Sequence, residues 1–133
     1  MTGLLDRILD HLAYREQGMT RQSNWWNGTS LPNNTWKSGG TAKFKPGIWL
    51  IAFGAGFSAN SNGSRVVNFS DTVGDGGRMA PSTRATSSGD TRVSGIRIAS
   101  FATETTWYIS GDQNSGSSLT FYPWYEAICL VPY

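Results

Sequence analysis

The stretch from Gly47 to Phe57, GIWLIAFGAGF, constrains the fold of this chain more than any other segment. Its odd positions carry large apolar residues at a period of two, which is the pattern of a β-strand with one buried face. Its even positions are also apolar or very small, although a strand whose second face meets water should be polar there. The strand therefore needs a cover on both sides. The two series are Trp49, Ile51, Phe53 and Phe57 on one face and Ile48, Leu50, Ala52, Gly54 and Gly56 on the other.

The C-terminal segment, LTFYPWYEAICLVPY, repeats this anomaly. Both of its faces are apolar, and only Glu126 interrupts one of them. A neighbouring copy of the chain is the obvious second cover for two such strands. The side chains at the even positions of the first strand also become smaller along the strand, as they would where three copies converge. We therefore predict a homotrimer, and the candidate interface residues are Leu50, Ala52, Gly54, Tyr122 and Trp124.

Composition and turn spacing favour a single all-β domain. The chain has 133 residues, of which only 15% are charged, and it contains 16 glycines. Short apolar segments alternate with turn signals every 8 to 12 residues, which is typical of an antiparallel sandwich or barrel. Asn27-Gly28 predicts a tight hairpin, and Pro32, Asn33 and Asn34 predict a second turn. Residues 70–92 are rich in Gly, Ser and Thr and predict a long connection with at most one short edge strand.

The N-terminal segment, MTGLLDRILDHLAYREQG, differs from the rest because its apolar residues recur at helical spacing. Thr2 is a plausible N-cap and Gly18 a plausible stop. We divide the chain into an N-terminal helix, 1–21, and a β-sandwich head, 22–133. A helix of about 15 residues is marginal alone, so it packs on its own domain, self-associates as a stalk or docks onto a partner. The residues expected to carry such contacts are Leu5, Ile8, Leu9 and Leu12.

Several classes of function find no support in the sequence. The net charge of +2 without a run of Lys or Arg argues against nucleic acid, and no apolar stretch reaches the roughly 20 residues that membrane insertion needs. His11 is the only histidine and lies on the predicted helix, where we expect a solvated side chain. Cys129 is the only cysteine, so no intrachain disulfide can form, and we expect it to be a small buried hydrophobe. We predict no catalytic residues, no metal and no cofactor; a carboxylate pair in a groove would instead favour a glycoside hydrolase.

Six tryptophans are many for this length. Exposed Trp and Tyr side chains can stack on sugar rings, whereas buried ones fill a core or an interface. Trp49 and Trp107 lie on predicted strands and are expected in the core. Trp25 and Trp26 lie near a turn, and a lectin-like, carbohydrate-binding module would expose both.

The chain resembles the trimeric jelly-roll superfamily of tumour necrosis factors and complement globular heads. The resemblance rests on KPGIWLIAFGAGFSANSNGSRVV, VSGIRIASFATETTWYI and YEAICLVPY, in the family's order and spacing over about residues 40–133. It implies an antiparallel jelly-roll sandwich that forms trimers, with Leu50 and Ala52 at the threefold interface. The chain departs from the family in having a short leucine-rich helix in place of a collagen stalk and in lacking a disulfide and a secretory signal.

Domains of this kind are similar to the heads of bacteriophage fibres and tail tips. That resemblance implies assembly in the host cytoplasm, release by lysis and a place on the virion surface. The partners would then be further copies, other virion proteins and a host surface glycan or protein. Loops 60–64, 74–92 and 111–118 would meet the host; the alternative is a capsid or tail decoration protein without a receptor. The receptor-binding candidates are Arg78, Arg84, Asp90, Arg92, Asp112 and Gln113.

Overall fold

The computed structural model describes residues 3–16, 18–74, 80–86 and 89–133, and these residues form one helix and nine strands. The helix and strands are α1 Leu4–Glu16, β1 Arg21–Trp25, β2 Thr29–Leu31, β3 Lys37–Phe44, β4 Gly47–Phe57, β5 Ser64–Ser70, β6 Ser82–Arg84, β7 Thr91–Phe101, β8 Thr105–Gln113 and β9 Leu119–Pro132. Thr2, the predicted N-cap, lies outside the described residues.

Two antiparallel sheets make up the sandwich. Sheet A has the order β1-β9-β4-β7, with β2 also paired to β9, and sheet B has the order β3-β8-β5-β6. The chain crosses repeatedly between the two sheets, which is the connectivity of a jelly roll. The predicted all-β jelly-roll sandwich with a short N-terminal helix is confirmed. The short edge strand predicted within residues 70–92 is β6.

The core lies between the two sheets and is rich in aromatic rings. Odd residues of β4 and β9 point into it, as the alternation predicts, and Cys129 is buried there as a free thiol. Phe44 of β3 is fully buried at its centre. Its ring centroid lies 5.2–5.9 Å from those of five other aromatic residues. These five are Trp49, Phe69, Phe101, Trp107 and Tyr125.

Strand β7 places its side chains opposite to what its composition suggests. Arg97 points inward: its guanidinium lies 5.3 Å from the Phe53 ring centroid and donates a 2.6 Å hydrogen bond to the Phe69 carbonyl. Its neighbours Ile96 and Ile98 point outward and are 71% and 70% exposed. Because the side-chain period of a strand is two, the inward positions of Val93 and Phe101 at its ends fix this register.

The predicted hairpin at Asn27-Gly28 is wrong. Strands β1 and β2 do not pair with each other, because both run antiparallel to β9. Between them the chain turns Trp26 inward, where its ring stacks on Tyr125 at 5.7 Å. Gly40 makes room for that ring, since a Cβ there would lie 2.2 Å from it. The second predicted turn is present at residues 33–34, where Asn34 has a φ of 54°.

Helix α1 ends where the sequence predicts. Gly18 has a φ of +83°, and its N–H donates to the Arg15 carbonyl at 3.2 Å. The Tyr14 hydroxyl donates a 2.8 Å hydrogen bond to the Cys129 carbonyl and accepts one from the Thr20 N–H, which ties the helix to β9. His11 is half-buried and not solvated as expected, since its Nδ1 is buried without a hydrogen-bond partner among the described residues. The apolar residues Leu4, Leu5, Ile8, Leu9 and Leu12 are all exposed.

Candidate functional site

The sandwich has two distinct ends. We call the end that carries α1 the basal end; there Trp49 pairs with Cys129 and Phe44 with Thr105. We call the opposite end the distal end; there Phe57 pairs with Thr91 and Phe121. Helix and distal loops therefore lie at opposite ends of the strands.

The five candidate interface residues lie on one surface, the outer face of sheet A. This face consists of the even residues of β4, β7 and β9 and the odd residues of β1, which the strand register places in continuous rows. One row is Ile98, Leu50, Ile128 and Arg21, and the next is Ile96, Ala52, Glu126 and Ser23. The second apolar face of β4 is thus the outside of the sandwich, and in a single chain much of it meets solvent.

One of the five residues is small for a reason other than the predicted one. Gly54 is buried because the Trp124 ring lies across it, and a Cβ there would lie 2.8 Å from that ring. Its size therefore serves packing within one chain, and Gly54 itself offers no surface to a neighbouring subunit. The interpretation that this position shrinks for threefold convergence is wrong.

Sequence reasoning missed an exposed apolar feature of this face. Ile96 and Ile98 form a ridge on the edge strand β7. The one signal in the sequence is the Ile-Arg-Ile order, because alternation on a strand places the two isoleucines on one face and the arginine on the other. Beside them lies an open depression of about 640 Å³, lined by β1, β4 and β9. Its residues are Arg21, Gln22, Ser23, Leu50, Ala52, Glu126, Ala127 and Ile128. Because a ridge lies next to a depression on one apolar face, copies of the chain can interlock through this face.

The distal end collects most of the predicted receptor-binding residues, although they come from separate strands. Arg84 ends β6, Asp90 and Arg92 flank the start of β7, and Asp112 is near the end of β8. The first three are exposed, and Asp112 is half-buried with its Oδ1 accepting the Gln113 N–H at 2.8 Å. Arg78 lies outside the described residues, as does part of the predicted loop 74–92.

Gln113 is not available to a receptor, which corrects the prediction for this residue. Its side chain is almost fully buried. Its Nε2 donates to the carbonyls of Leu31 and Ser117 at 3.1 and 2.7 Å, and its Oε1 accepts the Ser115 N–H at 2.8 Å. The amide therefore holds the loop 113–118 against β2 from inside. From the sequence alone, a polar residue next to a loop is expected to be exposed. Here its buried side-chain amide instead provides hydrogen bonds to backbone groups of the loop and of β2.

Arg65 stabilises a second distal loop from inside the sandwich. Its guanidinium is fully buried and donates to the carbonyls of Asn60, Asn62 and Ser64 at 2.8–3.1 Å, while its Nε lacks a partner among the described residues. Burial lowers the pKa of this group from its ordinary value. A buried cation held by carbonyl oxygens fixes the loop that precedes β5.

Replacing Arg65 by methionine should loosen this loop more than it destabilises the domain. We expect amide hydrogen exchange in residues 58–63 to accelerate by at least about tenfold, since Arg65 donates three hydrogen bonds to this loop and to Ser64, and even one hydrogen bond to a charged group contributes about 1.5 kcal/mol. The free energy of unfolding should change by less than about 1.5 kcal/mol, because the apolar side chain removes a buried charge. Exposed Arg84→Met is the matched control. Unchanged exchange in the loop would show that Arg65 does not hold it.

The two tryptophans near the first turn have different surroundings. Trp26 is half-buried against the core, whereas Trp25 is 66% exposed on the outer face of sheet A. Trp25 stacks on Trp124 with ring centroids 5.2 Å apart and planes 15° apart. Only one of the two residues that a lectin-like module would expose is therefore at the surface.

The described residues contain no helix that is long and apolar enough to cross a membrane. Within the same residues, no three side chains of His, Cys, Asp or Glu are grouped so that they could hold a metal ion.

The sequence matches no protein-family model and no curated protein at a significant level. In structure, the chain is similar to the globular domain of zebrafish complement 1qA protein, with a TM-score of 0.56 and 11% sequence identity. The similarity covers 85% of this chain and 98% of the zebrafish domain. At this identity the comparison establishes the fold alone: the chain is a jelly-roll sandwich similar to that globular domain.

Proposed function

We propose that the chain is a homotrimeric, non-enzymatic attachment head on the surface of a virion, assembled in the host cytoplasm. The observation that carries the proposal is the exposed apolar outer face of sheet A. Leu50, Ile96 and Ile98 are exposed on it in a single chain, and a contiguous apolar patch of this kind marks an interaction surface.

A second copy of the chain fits this face in both shape and charge. The ridge of Ile96 and Ile98 lies beside the depression, so a rotated copy can place its ridge in the depression of the first. Such a head-to-tail contact closes into a ring when the rotation is right. The face also carries both signs of charge, because Arg21 and Glu126 lie in adjacent rows. Rotated copies can therefore pair these charges across the interface.

The exposed apolar side of α1 supports a role in anchoring. Its leucines are about half exposed or more among the described residues, and the Tyr14 hydrogen bonds fix the end of the helix at the basal end. Leu5, Ile8, Leu9 and Leu12 would pack against the helices of the other two copies or against another virion protein. The distal loops would then point away from the particle.

The exposed charges of the distal end would provide the contacts with a host glycan or protein. Arg84, Asp90 and Arg92 are exposed to solvent. Gln113 and Arg65 hold two further loops of the same end in place, loop 113–118 and the loop that precedes β5. Loops supported by a rigid scaffold are where recognition is usually located. His11 lies at the basal end, away from these charges, so nothing there supplies a histidine base for catalysis.

The proposed location can be tested on particles whose genome encodes this chain. Gold-labelled antibodies against the chain should decorate the particle surface, and the purified protein should compete with particles for adsorption to host cells. Particles without label would contradict the virion assignment. Labelled particles whose adsorption is unaffected by excess protein would exclude the attachment role and favour the decoration protein, for which the exposed helix side would dock onto the particle.

A further inference from the structure

The outer face of sheet A changes character along its strands. The basal half is aliphatic and contains the ridge and the depression described above. The distal half consists of aromatic rings over glycines, with polar groups at its edge. Its rows are Trp25, Trp124, Gly54 and Ser94, followed by Tyr122, Gly56 and Arg92. One face with two chemistries suggests two different occupants.

A cleft lies in the distal half because two rings lean away from the same glycine. The Trp124 ring covers Gly54, and the Tyr122 ring leans over Gly28, where a Cβ would lie 2.5 Å from it. Gly56 is left open, since a Cβ there would meet nothing within 4 Å. Tyr122 and Arg92 flank it on the neighbouring strands, roughly 10 Å apart at their backbones. The cleft therefore has a bare floor at Gly56, an aromatic side on β9 and a cation, Arg92, on the β7 side.

Trp25 is unusually exposed for a tryptophan whose ring stacks on another ring. A tryptophan buries 150–250 Å² when it is fully packed, yet two thirds of this side chain meets solvent even though it stacks on Trp124. A stacked pair beside a cleft presents a flat apolar surface. The apolar face of a pyranose ring fits such a surface, and its hydroxyl groups would reach the Tyr122 hydroxyl and Ser94.

We propose that this cleft, formed by Trp25, Trp124, Tyr122, Gly56 and Arg92, binds an acidic oligosaccharide. A sugar ring would stack on the tryptophan pair, and its carboxylate would pair with the Arg92 guanidinium, which suits carboxylates through bidentate hydrogen bonds. The inference rests on the proposed attachment function and names its ligand class. It also divides the outer face: the aliphatic half joins the subunits and the aromatic half remains open to ligand.

The test combines a glycan array with titration of the full-length protein. We expect the array to show binding to uronic-acid or sialic-acid glycans. Tri-galacturonic acid should quench or shift tryptophan fluorescence saturably, and maltotriose, a neutral trisaccharide, should bind at least tenfold more weakly. Trp25→Ala and Gly56→Val should each weaken binding by at least tenfold, while Arg92→Gln should remove the preference for the acidic sugar.

Gly56→Val is the most informative variant because it should leave the fold intact. Its backbone is not in the positive-φ region that requires glycine, and the space above it is empty. Valine also suits a strand. Thr83→Val, which adds the same side chain at an exposed position of β6, is the matched control and should bind like the wild type.

The outcomes separate this site from the proposed assembly when the solution mass of each sample is measured. A trimer that binds no acidic glycan, or whose binding survives Gly56→Val, would overturn the glycan site and leave the trimer standing. A monomer that binds the acidic sugar would do the reverse. If Gly56→Val itself dissociates the trimer, the cleft is part of the subunit interface and the glycan proposal is wrong.

Discussion

Replacing Phe44 by alanine is expected to lower the free energy of unfolding by about 3–5 kcal/mol, the usual effect of truncating a fully buried phenylalanine. Phe44 stacks on Phe101 at 5.2 Å and meets the Trp49 ring edge-on at 5.3 Å. It therefore contacts aromatic residues of both sheets, and its loss leaves a cavity that rigid rings cannot close. Urea denaturation at one fixed protein concentration measures the change.

The exposed aromatic residue Tyr133 provides the matched control for Phe44. It is 65% exposed, and its hydroxyl hydrogen-bonds with Ser100 at 2.8 Å. Its backbone N–H donates to the Pro46 carbonyl at 3.3 Å, a hydrogen bond that alanine would keep. Tyr133→Ala should change the free energy of unfolding by no more than about 0.5 kcal/mol. A loss below about 1.5 kcal/mol for Phe44→Ala would contradict the assignment of this ring to the centre of the core.

The double variant Ile96→Glu with Ile98→Glu is expected to convert the proposed trimer into monomers. Each isoleucine contributes about 1.5–3 kcal/mol when it is buried, so each interface loses at least about 3 kcal/mol, which raises the dissociation constant by more than about 100-fold. The introduced carboxylates also have to be desolvated against apolar neighbours, which weakens association further. Light scattering measures the fall in mass.

The fold should survive this double substitution, because both side chains meet solvent in a single chain. Circular dichroism should therefore match that of the wild type. Val73→Glu is the control, since Val73 is an exposed apolar residue that lies outside the outer face of sheet A. If the double variant keeps the mass of the wild type, the ridge on β7 is not at the subunit interface.

The sequence predicts the parts of this fold that depend on local chemistry. Alternation in β4 and β9 gives the buried faces correctly, because side chains on a strand alternate strictly. Gly18 ends the helix as predicted, since it adopts a positive φ that other residues resist. The apolar second faces of β4 and β9 lie on the outer face of sheet A, and their place at a subunit interface stays a prediction.

The errors all involve contacts between residues that are distant in sequence. Asn27-Gly28 has the composition of a hairpin, but pairing of both flanking strands with β9 overrides it. Gly54 is small because Trp124 covers it, and Gln113 is buried because its amide joins the Leu31 carbonyl of β2 to loop 113–118. The inward position of Arg97, for which the sequence made no prediction, likewise depends on the distant Phe69 carbonyl and Phe53 ring. No local pattern encodes these partners.

The central claim is that copies of this chain cover the aliphatic half of the outer face of sheet A, and the solution mass of the full-length protein tests it most directly. Light scattering at micromolar concentrations should give three times the chain mass of 14.5 kDa. A mass of 14.5 kDa at micromolar concentrations would contradict the claim. The aliphatic half of the outer face of sheet A would then remain uncovered in solution.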